Sequence, residues 1–415
     1  MQFKHVAVVG LGYIGLPTAA ILASDHVNVT GVDVNATTVN AVNRGDVPFV
    51  EPDLATYVAG AVKQGYLVAT DTPPPADAYI IAVPTPFLEG NAPDLSYVRA
   101  AAEAVAPVLS GGELVILEST SPPGATKAMA EWILAARPDL SLDGSDGRPL
   151  LHIAHCPERV LPGRVMIELV TNDRIVGGLT PEAAERARDL YQIFCQGEIL
   201  LTDSTTAEMA KLVENSFRDV NIAFANELSL ISDRLGIDVW ELIELANHHP
   251  RVNILQPGPG VGGHCIAVDP WFIVDAAPED ARVIRTAREV NDGKPEWVIG
   301  KVREAVADVE APTIALLGLA FKANIDDLRE SPARRIVGQL ADEHADATLL
   351  VVEPHVEALP PELAQRANVR LAALDDALAQ ADLAVLLVDH DDFLRPDLQL
   401  PQRRIDTRGA WRHRP

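Results

Sequence analysis

The first fifteen residues constrain the fold of this chain more than any other stretch. Residues 5–9 form a short β-favouring run, and a G-x-G-x-x-G motif at Gly10, Gly12 and Gly15 follows at once, ahead of a helical pattern. In a strand–turn–helix unit Gly10 permits the tight turn, Gly12 lets a pyrophosphate approach the backbone, and Gly15 allows close helix–strand packing. The helix N-terminus then attracts the phosphates. The motif predicts a dinucleotide-binding unit.

A second β-rich run, residues 27–32, ends at Asp33. This is close to the spacing of about 20 residues expected for an acid that binds the ribose of a dinucleotide. A carboxylate at this place accepts a hydrogen bond from the ribose 2′-hydroxyl and repels a 2′-phosphate. We therefore predict NAD, rather than NADP, as the cofactor.

Further β-rich runs alternate with Ala-rich helical patterns and predict an N-terminal doubly wound domain over residues 1–203. Thr85, Thr120 and Glu158 each follow a predicted strand, and the carboxyl ends of parallel strands line the ligand crevice. These residues are therefore placed to contact ligand, although ordinary turn residues are an equally good interpretation. The predicted strands after the second are residues 78–83, 113–117, 151–154, 174–176 and 199–201.

Residues 205–235 carry an uninterrupted helical pattern, which Thr205 and Glu208 are predicted to open as a capping box. Lys211, Asn215 and Arg218 lie at i, i+4 and i+7, so one face of the helix carries an ammonium, an amide and a guanidinium group. A solvated face is the usual explanation. The apolar residues that flank this set indicate partial enclosure instead, and they favour a functional role.

The helical pattern continues through residues 239–247, 280–290 and 295–309. We therefore predict a central, mostly helical region over residues 204–310. Such a long helical segment has more apolar surface than one globule can cover, so it is a candidate interface for a homodimer.

Four glycines (Gly258, Gly260, Gly262 and Gly263) precede Cys265 in this central region. Because glycine has no side chain, a ligand or another stretch of backbone can approach these residues closely. The apolar residues after Cys265 are predicted to open a helix, and a helix N-terminus favours the nucleophilic thiolate over the thiol. A small buried cysteine beside a tight turn is the alternative. The nucleotide site and the Lys/Asn helix face favour the nucleophile.

A new βα pattern begins near residue 311, with strands predicted over residues 313–317, 347–352, 383–388 and 404–405. It predicts a second, smaller doubly wound domain over residues 311–415, without a full glycine fingerprint. Its first turn carries Lys322, so this domain could hold a second nucleotide.

The composition excludes several classes of function. The net charge of −25 argues against nucleic acid or an anionic membrane as a partner, so a phosphate site must be built from local Arg and Lys. Three scattered cysteines are too few for a disulfide framework or a metal cluster and predict a reduced, cytoplasmic location. No apolar run reaches the length of a membrane span.

With these residues assembled, the chain resembles the UDP-glucose/GDP-mannose dehydrogenase family over essentially its full length. The matching stretches are long and fall in the family's order. They are GLGYIGLPTAA, VPTPF, ESTSPPG, CPERVLPG, AEMAKLVENSFRDVNIAFANELSL, HPRVNILQPGPGVGGHCIAVDPWF and GLAFKANIDDLRESP.

The resemblance implies a four-electron oxidation of the C6 alcohol of a UDP-sugar to a carboxylate, with two NAD used in succession. Cys265 corresponds to the family's nucleophile, which traps the aldehyde as a thiohemiacetal and is then acylated as a thioester that water cleaves. Lys211 corresponds to the family's lysine that exchanges the proton or stabilises the developing oxyanion, and Asn215, one turn later, donates to the same oxygen. Asp269, Thr120 and Glu158 match positions that orient water or the lysine.

The same resemblance implies two sets of ligand contacts, with Arg and Lys pairing with the diphosphate. Some substrate contacts near His249 and Arg251 are expected from the partner subunit of a homodimer. Besides the three glycines, the cofactor set is Tyr13, Ile14, Asp33, Thr85, Thr126 and Arg329. Besides Lys211 and Asn215, the substrate set is Arg159, Val160, Arg218, His249, Arg251, Gly262 and Lys322.

One departure concerns the substrate. Many UDP-glucose enzymes carry a second Glu where this chain has Pro162. The branch that oxidises UDP-N-acetyl-D-mannosamine has the loop found here, so that sugar is expected, with UDP-N-acetylglucosamine or UDP-glucose as alternatives.

Two other functions compete with this one. A two-electron β-hydroxyacid dehydrogenase would also join a Rossmann domain to a helical domain and a lysine, but it would need neither Cys265 nor the chain after about residue 310. An NAD-binding sensor without chemistry is the non-enzymatic alternative, and intact Cys265, Lys211 and Asn215 argue against it.

Overall fold

A computed structural model describes residues 3–88, 90–144, 146–161, 163–263 and 265–412. The chain divides into two compact units. One comprises Met1–Glu214 with Asp275–Ala277, and the other Asn215–Val274 with Pro278–Pro415.

The first unit is built on an eight-stranded sheet whose strand order is β3-β2-β1-β4-β5-β6-β7-β8. The pairs are parallel except β6 with β7, which run antiparallel. Its strands are β1 (His5–Val9), β2 (Asn28–Val32), β3 (Leu67–Thr70), β4 (Ala78–Ile81), β5 (Leu114–Leu117), β6 (His152–His155), β7 (Arg174–Gly178) and β8 (Ile199–Asp203).

Helices cover both faces of this sheet, because its central strands are apolar on both sides. One core lies beneath α1, α3, α6 and α7, and a second lies beneath α4 and α5. The helices are α1 (Gly15–Ser24), α2 (Ala36–Asn43), α3 (Leu54–Gln64), α4 (Ser96–Val105), α5 (Ala125–Ala136), α6 (Val165–Thr171) and α7 (Pro181–Tyr191).

Helix α8 (Ser204–Leu235) begins in the first unit and continues into the second. The predicted capping box is wrong. The carboxylate of Asp203, not Thr205, accepts the N–H of Thr206 at 2.9 Å, and Glu208 turns instead to the loop before α5. A buried Glu208 finds three donors there, which outweighs one reciprocal bond at the helix start.

The rest of the central region contains α9 (Val239–Asn247), α10 (Asp269–Ala276) and α11 (Arg282–Ala305). The two helices predicted over residues 280–290 and 295–309 are a single helix, with Pro295 inside it. Proline costs a helix one backbone hydrogen bond. Burial of Pro295 and of the following Val298, Ile299 and Val302 offsets that loss.

The second unit also contains a five-stranded parallel sheet of order β11-β10-β9-β12-β13. Helices α11 and α12 cover one face, and α14 with Phe393 and Trp411 covers the other. The strands and helices are β9 (Thr313–Leu317), α12 (Pro332–Glu343), β10 (Thr348–Val352), α13 (Pro361–Ala364), β11 (Val369–Leu371), α14 (Leu374–Gln380), β12 (Leu383–Leu386) and β13 (Arg403–Asp406).

The predicted fold class, two doubly wound Rossmann-like sheets with a central helical region, is confirmed. Each predicted strand is found to within two residues at its ends. Strands β3 and β11 were not predicted, because both are short and lie at sheet edges. In the described residues, no helix combines the length and apolarity needed to cross a bilayer.

Candidate active site

The glycine motif lies between β1 and α1, and its three glycines have different surroundings. Gly10 has a positive φ of 95°, a conformation that favours glycine. A Cβ on Gly15 would collide with the carbonyl of Gly10, whereas a Cβ on Gly12 would meet nothing within 4 Å. The loop therefore keeps a close helix–strand contact at Gly15 and open space at Gly12, which fits a dinucleotide pyrophosphate.

Asp33 follows β2 and anchors this loop. Its Oδ2 accepts the N–H of Leu11 at 2.9 Å, and its Oδ1 accepts the N–H of Asn35 at 2.8 Å. The carboxylate is thereby held beside the glycine loop. Tyr13, 42% exposed, stacks on Phe49 with ring centroids 4.2 Å apart, and Ile14 is the residue before α1.

Of the three threonines predicted at ligand sites, Thr85 and Thr120 lie in neighbouring loops, and Thr126 lies in the first turn of α5. The hydroxyl of Thr85 donates to the carbonyl of Thr120 at 2.5 Å. Thr126 is fully buried, and its N–H and hydroxyl donate to Glu208 Oε1 at 2.7 and 2.6 Å. Glu208, which the sequence analysis placed in a cap, therefore ties the loop that carries Thr120 to helix α8.

Lys211 and Glu158 bring opposite charges together in the first unit. Lys211 is 7% exposed on α8. Burial raises the pKa of the Glu158 carboxyl, and the positive charge of Lys211 opposes that rise. The same carboxylate accepts the N–H of Val160, two residues later in the same loop. This bond fixes the direction of the Glu158 side chain.

Cys265, Asn215 and Asp269 form the corresponding group in the second unit. The carbonyl of Cys265 accepts the N–H of Asp269 at 2.8 Å, and Asn215 Nδ2 donates to Asp269 Oδ2 at 2.5 Å. Asp269 is buried and Cys265 is exposed. Three predicted catalytic residues are thus connected through Asp269, whose backbone N–H binds Cys265 and whose carboxylate binds Asn215.

The prediction that a helix begins directly after Cys265 is wrong. Residues 265–268 form turns, and α10 begins at Asp269. Pro270 lies in the first turn of α10, where a missing backbone N–H costs no hydrogen bond. The thiol therefore lies one turn ahead of the helix.

The glycines before Cys265 serve close packing within the second unit. A Cβ on Gly262 would meet the carbonyl of Glu330 at 2.5 Å and the Cβ of Phe321 at 2.9 Å. The N–H of Gly263 donates to the carbonyl of Arg329 at 3.3 Å. The predicted close approach is therefore to residues 321–332, through the backbone carbonyl of Glu330 and the side chain of Phe321. His264 lies outside the described residues.

The predicted substrate residues are distributed over several elements of the chain. Arg159 pairs with Glu214 in a two-bonded contact, with Nη2–Oε1 at 2.5 Å and Nε–Oε2 at 3.1 Å. Pro162, the predicted departure from the UDP-glucose enzymes, lies outside the described residues. The other cations and the imidazole are exposed on α8, on the turn after α9 and on the loop after β9: Arg218, His249, Arg251 and Lys322.

Sequence reasoning missed a buried charged group behind β5. Glu118 is fully buried and accepts hydrogen bonds from Thr18 Oγ1 and Tyr191 Oη, each at 3.1 Å. Arg174 Nη1 lies 3.9 Å from its Oε1. Burial raises the pKa of Glu118 to about 7, against the opposing charge of Arg174. The signal was a Glu next to Ser119 in an otherwise apolar strand end.

A cavity of about 540 Å³ in the second unit was also missed. It lies between α9 and the segment after β13. Two arginines face it, each paired with a carboxylate: Arg408 with Asp389 and Arg412 with Glu244. The lining residues are Trp240, Glu244, Asn247, His248, Gln256, Arg408, Gly409 and Arg412.

Three family models match the chain in order. They describe the NAD binding domain, the central domain and the UDP binding domain of the UDP-glucose/GDP-mannose dehydrogenase family, over residues 4–195, 205–293 and 315–413. The chain belongs to this family. The predicted family, the NAD cofactor and the assignment as an NAD-dependent dehydrogenase are confirmed.

Relatives of similar identity are named for two different sugars. The NDP-N-acetyl-D-galactosaminuronic acid dehydrogenase of Ralstonia nicotianae is 59% identical over 99% of this chain and 97% of that protein. The UDP-N-acetyl-D-mannosamine dehydrogenase of Salmonella typhi is also 59% identical, over 99% of this chain and 100% of that protein.

A solved structure shows the same fold. The UDP-D-ManNAc dehydrogenase of Pyrococcus horikoshii superimposes with a TM-score of 0.87 at 38% identity, covering 99% of this chain and 97% of that one.

Proposed function

We propose that this chain oxidises the C6 alcohol of UDP-N-acetyl-D-mannosamine to UDP-N-acetyl-D-mannosaminuronate, with two NAD reduced in succession. The observation that carries the proposal is the exposed Cys265, whose carbonyl accepts the N–H of Asp269 while Asn215 holds the Asp269 carboxylate at 2.5 Å. A simple two-electron dehydrogenase needs no exposed cysteine four residues before a carboxylate held in this way.

Cys265 is the nucleophile in this proposal. NAD, when bound, accepts the two electrons and the hydrogen that leave C6 at each oxidation. After the first oxidation the Cys265 thiolate adds to the aldehyde carbon and forms a thiohemiacetal. The second oxidation leaves a thioester, and water then breaks its C–S bond, releasing the carboxylate and restoring the thiol.

The other five residues of the catalytic set act on protons and on the oxygen at C6. Lys211 and Asn215 lie one helical turn apart on α8 and stabilise the oxyanion that develops there. Glu158 holds the charge of Lys211 in place. Asp269 and Thr120 orient the attacking water.

The cofactor set would hold NAD through the glycine loop and its neighbours. Gly12 leaves space for the pyrophosphate, and Asp33 lies at the end of β2 where it can meet the ribose. The other members are Gly10, Tyr13, Ile14, Gly15, Thr85, Thr126 and Arg329. We assign the fully buried Thr126 a supporting role, since both its donors are committed to Glu208.

The substrate set would bind the UDP-sugar mainly through its cations. These are Arg159, Arg218, Arg251 and Lys322, and His249, Val160 and Gly262 complete the set with Lys211 and Asn215. The pair of Arg159 with Glu214 must rearrange or share the guanidinium when a diphosphate arrives.

A second candidate substrate is UDP-N-acetyl-D-galactosamine. A relative named for N-acetyl-D-galactosaminuronic acid is as similar to this chain as those named for N-acetyl-D-mannosamine. The two sugars differ at ring carbons away from C6, so the same chemistry serves both.

A panel of nucleotide sugars tests the substrate. Purified protein is supplied with NAD and, in turn, the UDP derivatives of N-acetylmannosamine, N-acetylgalactosamine, N-acetylglucosamine and glucose, while NADH absorbance is followed. The proposal expects the highest kcat/KM with UDP-N-acetyl-D-mannosamine. A preference for the galactosamine derivative would select the second candidate, and no turnover of any of them would reject both.

We also propose that the protein is a homodimer joined through α8. Phe217, Phe224 and Ile231 are spaced by seven residues, so they share one face of this helix with Leu235. They are 69%, 51%, 46% and 64% exposed in the single chain. A stripe of large apolar side chains is typical of a surface that another chain covers. His249 and Arg251 would then reach the partner's substrate.

Three domains, bounded at residues 1–203, 204–310 and 311–415, and a cytoplasmic location complete the proposal. Size-exclusion chromatography of separately expressed fragments cut at these boundaries, and fractionation of cells that produce the full chain, test these two points.

A further inference from the structure

A path of hydrogen bonds lies inside the second unit, between α8 and α11. Asn291 Nδ2 donates to Asp219 Oδ1 at 2.8 Å, and Arg288 Nη1 donates to the same oxygen at 2.6 Å. Asn226 Nδ2 donates to Asn291 Oδ1 at 2.8 Å. We call these four residues the loop clamp. Each is no more than 1% exposed.

Both ends of the loop clamp contact the backbone around Cys265. At one end, Asn226 Oδ1 accepts the N–H of Gly258 at 2.9 Å. At the other, Arg288 Nη1 donates to the carbonyl of Ile266, the residue after Cys265, at 3.4 Å. One connected set of side chains therefore holds the loop that carries Cys265 at two places, at Gly258 and at Ile266, the residue after the thiol.

The chemistry of the loop clamp is unusual for a helix–helix contact. An ion pair and two amides in a core cost desolvation that apolar side chains of the same size would not cost. The bonds at the two ends give these polar groups partners that apolar residues cannot replace, because only donors and acceptors can hold a backbone N–H and a carbonyl. The arrangement is therefore suited to fixing the position of the loop that carries Cys265.

We propose that Asp219, Asn226, Arg288 and Asn291 are positioning residues that set the place of the Cys265 thiol for attack on the C6 aldehyde. This rests on the proposed function for the identity of the reaction. A shift of about 1 Å in a reacting group can cost on the order of 100-fold in rate. Loss of the loop clamp should therefore reduce turnover without weakening NAD binding at the glycine loop of β1.

Four variants test the loop clamp: Asn226→Ala, Asn291→Ala, the double variant and Ser229→Ala as the matched control. Ser229 lies on the same helix, is buried, and forms its hydrogen bonds to Asn226 O and Lys294 Nζ, not to the loop. Hydrogen–deuterium exchange over residues 255–268, the thermal midpoint, kcat and the KM for NAD are measured for each full-length protein.

The loop clamp predicts that Asn226→Ala increases exchange over residues 255–268 about tenfold and lowers kcat about 10- to 100-fold, with the KM for NAD within about twofold. Asn291→Ala, which does not touch the loop, should give the same pattern more weakly. The double variant should lose less than the product of the two single losses, because the two residues act through one path. Ser229→Ala should change neither exchange over 255–268 nor kcat.

Two results would overturn the proposal: exchange over 255–268 that stays as in the wild type, or a kcat loss no larger than that of Ser229→Ala at the same thermal midpoint. Exchange needs no substrate. If the wild type oxidises none of the UDP-sugars, the proposed function fails while the exchange comparison still decides whether the loop clamp holds the loop.

Discussion

Substitution of Lys211 tests whether this buried lysine has a catalytic or only a structural role. It is buried on α8, and its charge acts on the Glu158 carboxyl. Lys211→Ala should lower kcat by about 10² to 10⁴, the range for one acid–base group. Steady-state rates of this variant are compared with those of Lys63→Ala, which removes an exposed lysine from α3. A loss below about tenfold would make Lys211 a structural residue.

Glu118 predicts a pH dependence of stability. Its pKa rises from 4.5 to about 7 in the folded chain, so between these values the folded chain binds a proton that the unfolded chain does not. The contribution of this proton to the free energy of unfolding is therefore fully present below about pH 4.5. It is lost as the pH rises towards 7, by at most about 1.4 kcal/mol per pH unit.

Urea unfolding of the wild type and of Glu118→Gln, which cannot ionise, at pH 5, 6 and 7 measures this term. The free energy of unfolding of the wild type should fall relative to that of the variant across this interval. Parallel pH profiles for the two proteins would show that Glu118 does not titrate there.

At the residue scale, the sequence predicted side chains but not their partners. Asn215 and Asp269 are 54 positions apart, and the structure brings them to 2.5 Å. Glu118 and Arg174 were not singled out, because no local pattern marks two charges that meet only across a sheet. Spacing along one helix is readable from a sequence, whereas contacts between distant elements are not.

The turn between β1 and α1 gives a matched pair of substitutions. A Cβ on Gly15 would collide with the Gly10 carbonyl, so Gly15→Ala should lower the thermal midpoint by about 5 °C or more. A Cβ on Gly12 meets open space. Gly12→Ala should therefore keep the midpoint and raise the KM for NAD about 10- to 100-fold, by obstructing the pyrophosphate. Equal effects of the two substitutions on both measurements would contradict these assignments.

Helix α8 carries the test of the dimer. Phe217→Asp with Phe224→Asp places charges in the apolar stripe and should give a monomer by light scattering, with lost activity if His249 and Arg251 serve the partner. Tyr97→Asp on α4 is the control, because Tyr97 is 50% exposed and Phe224 51%. A dimer that survives the double substitution would place the interface elsewhere.

At the element scale, long periodic segments were predictable and short or interrupted ones were not. The 32 residues of α8 were found almost to their ends. Strand β3 has four residues and β11 has three, too few for a pattern to stand out. Pro295 led to a predicted break in α11, because the packing that tolerates it involves distant residues such as Gly260.

At the scale of the whole molecule, the alternation of strands and helices was enough to predict two doubly wound sheets. The rule that ligands bind at the carboxyl ends of strands then directed attention to Thr85, Thr120 and Glu158. What the sequence could not indicate is the set of interior side chains behind the cysteine loop. The loop clamp joins residues from 219 to 291, which no periodic pattern connects.

The ratio of NADH formed to UDP-uronate formed tests the central claim most directly. Complete conversion of a measured amount of UDP-N-acetyl-D-mannosamine, with both products quantified, should give about two NADH per uronate in the wild type, because the thioester route requires two oxidations at one carbon. Cys265→Ala should bind NAD normally and form no net carboxylate. A ratio near one, or unchanged turnover in Cys265→Ala, would contradict the account.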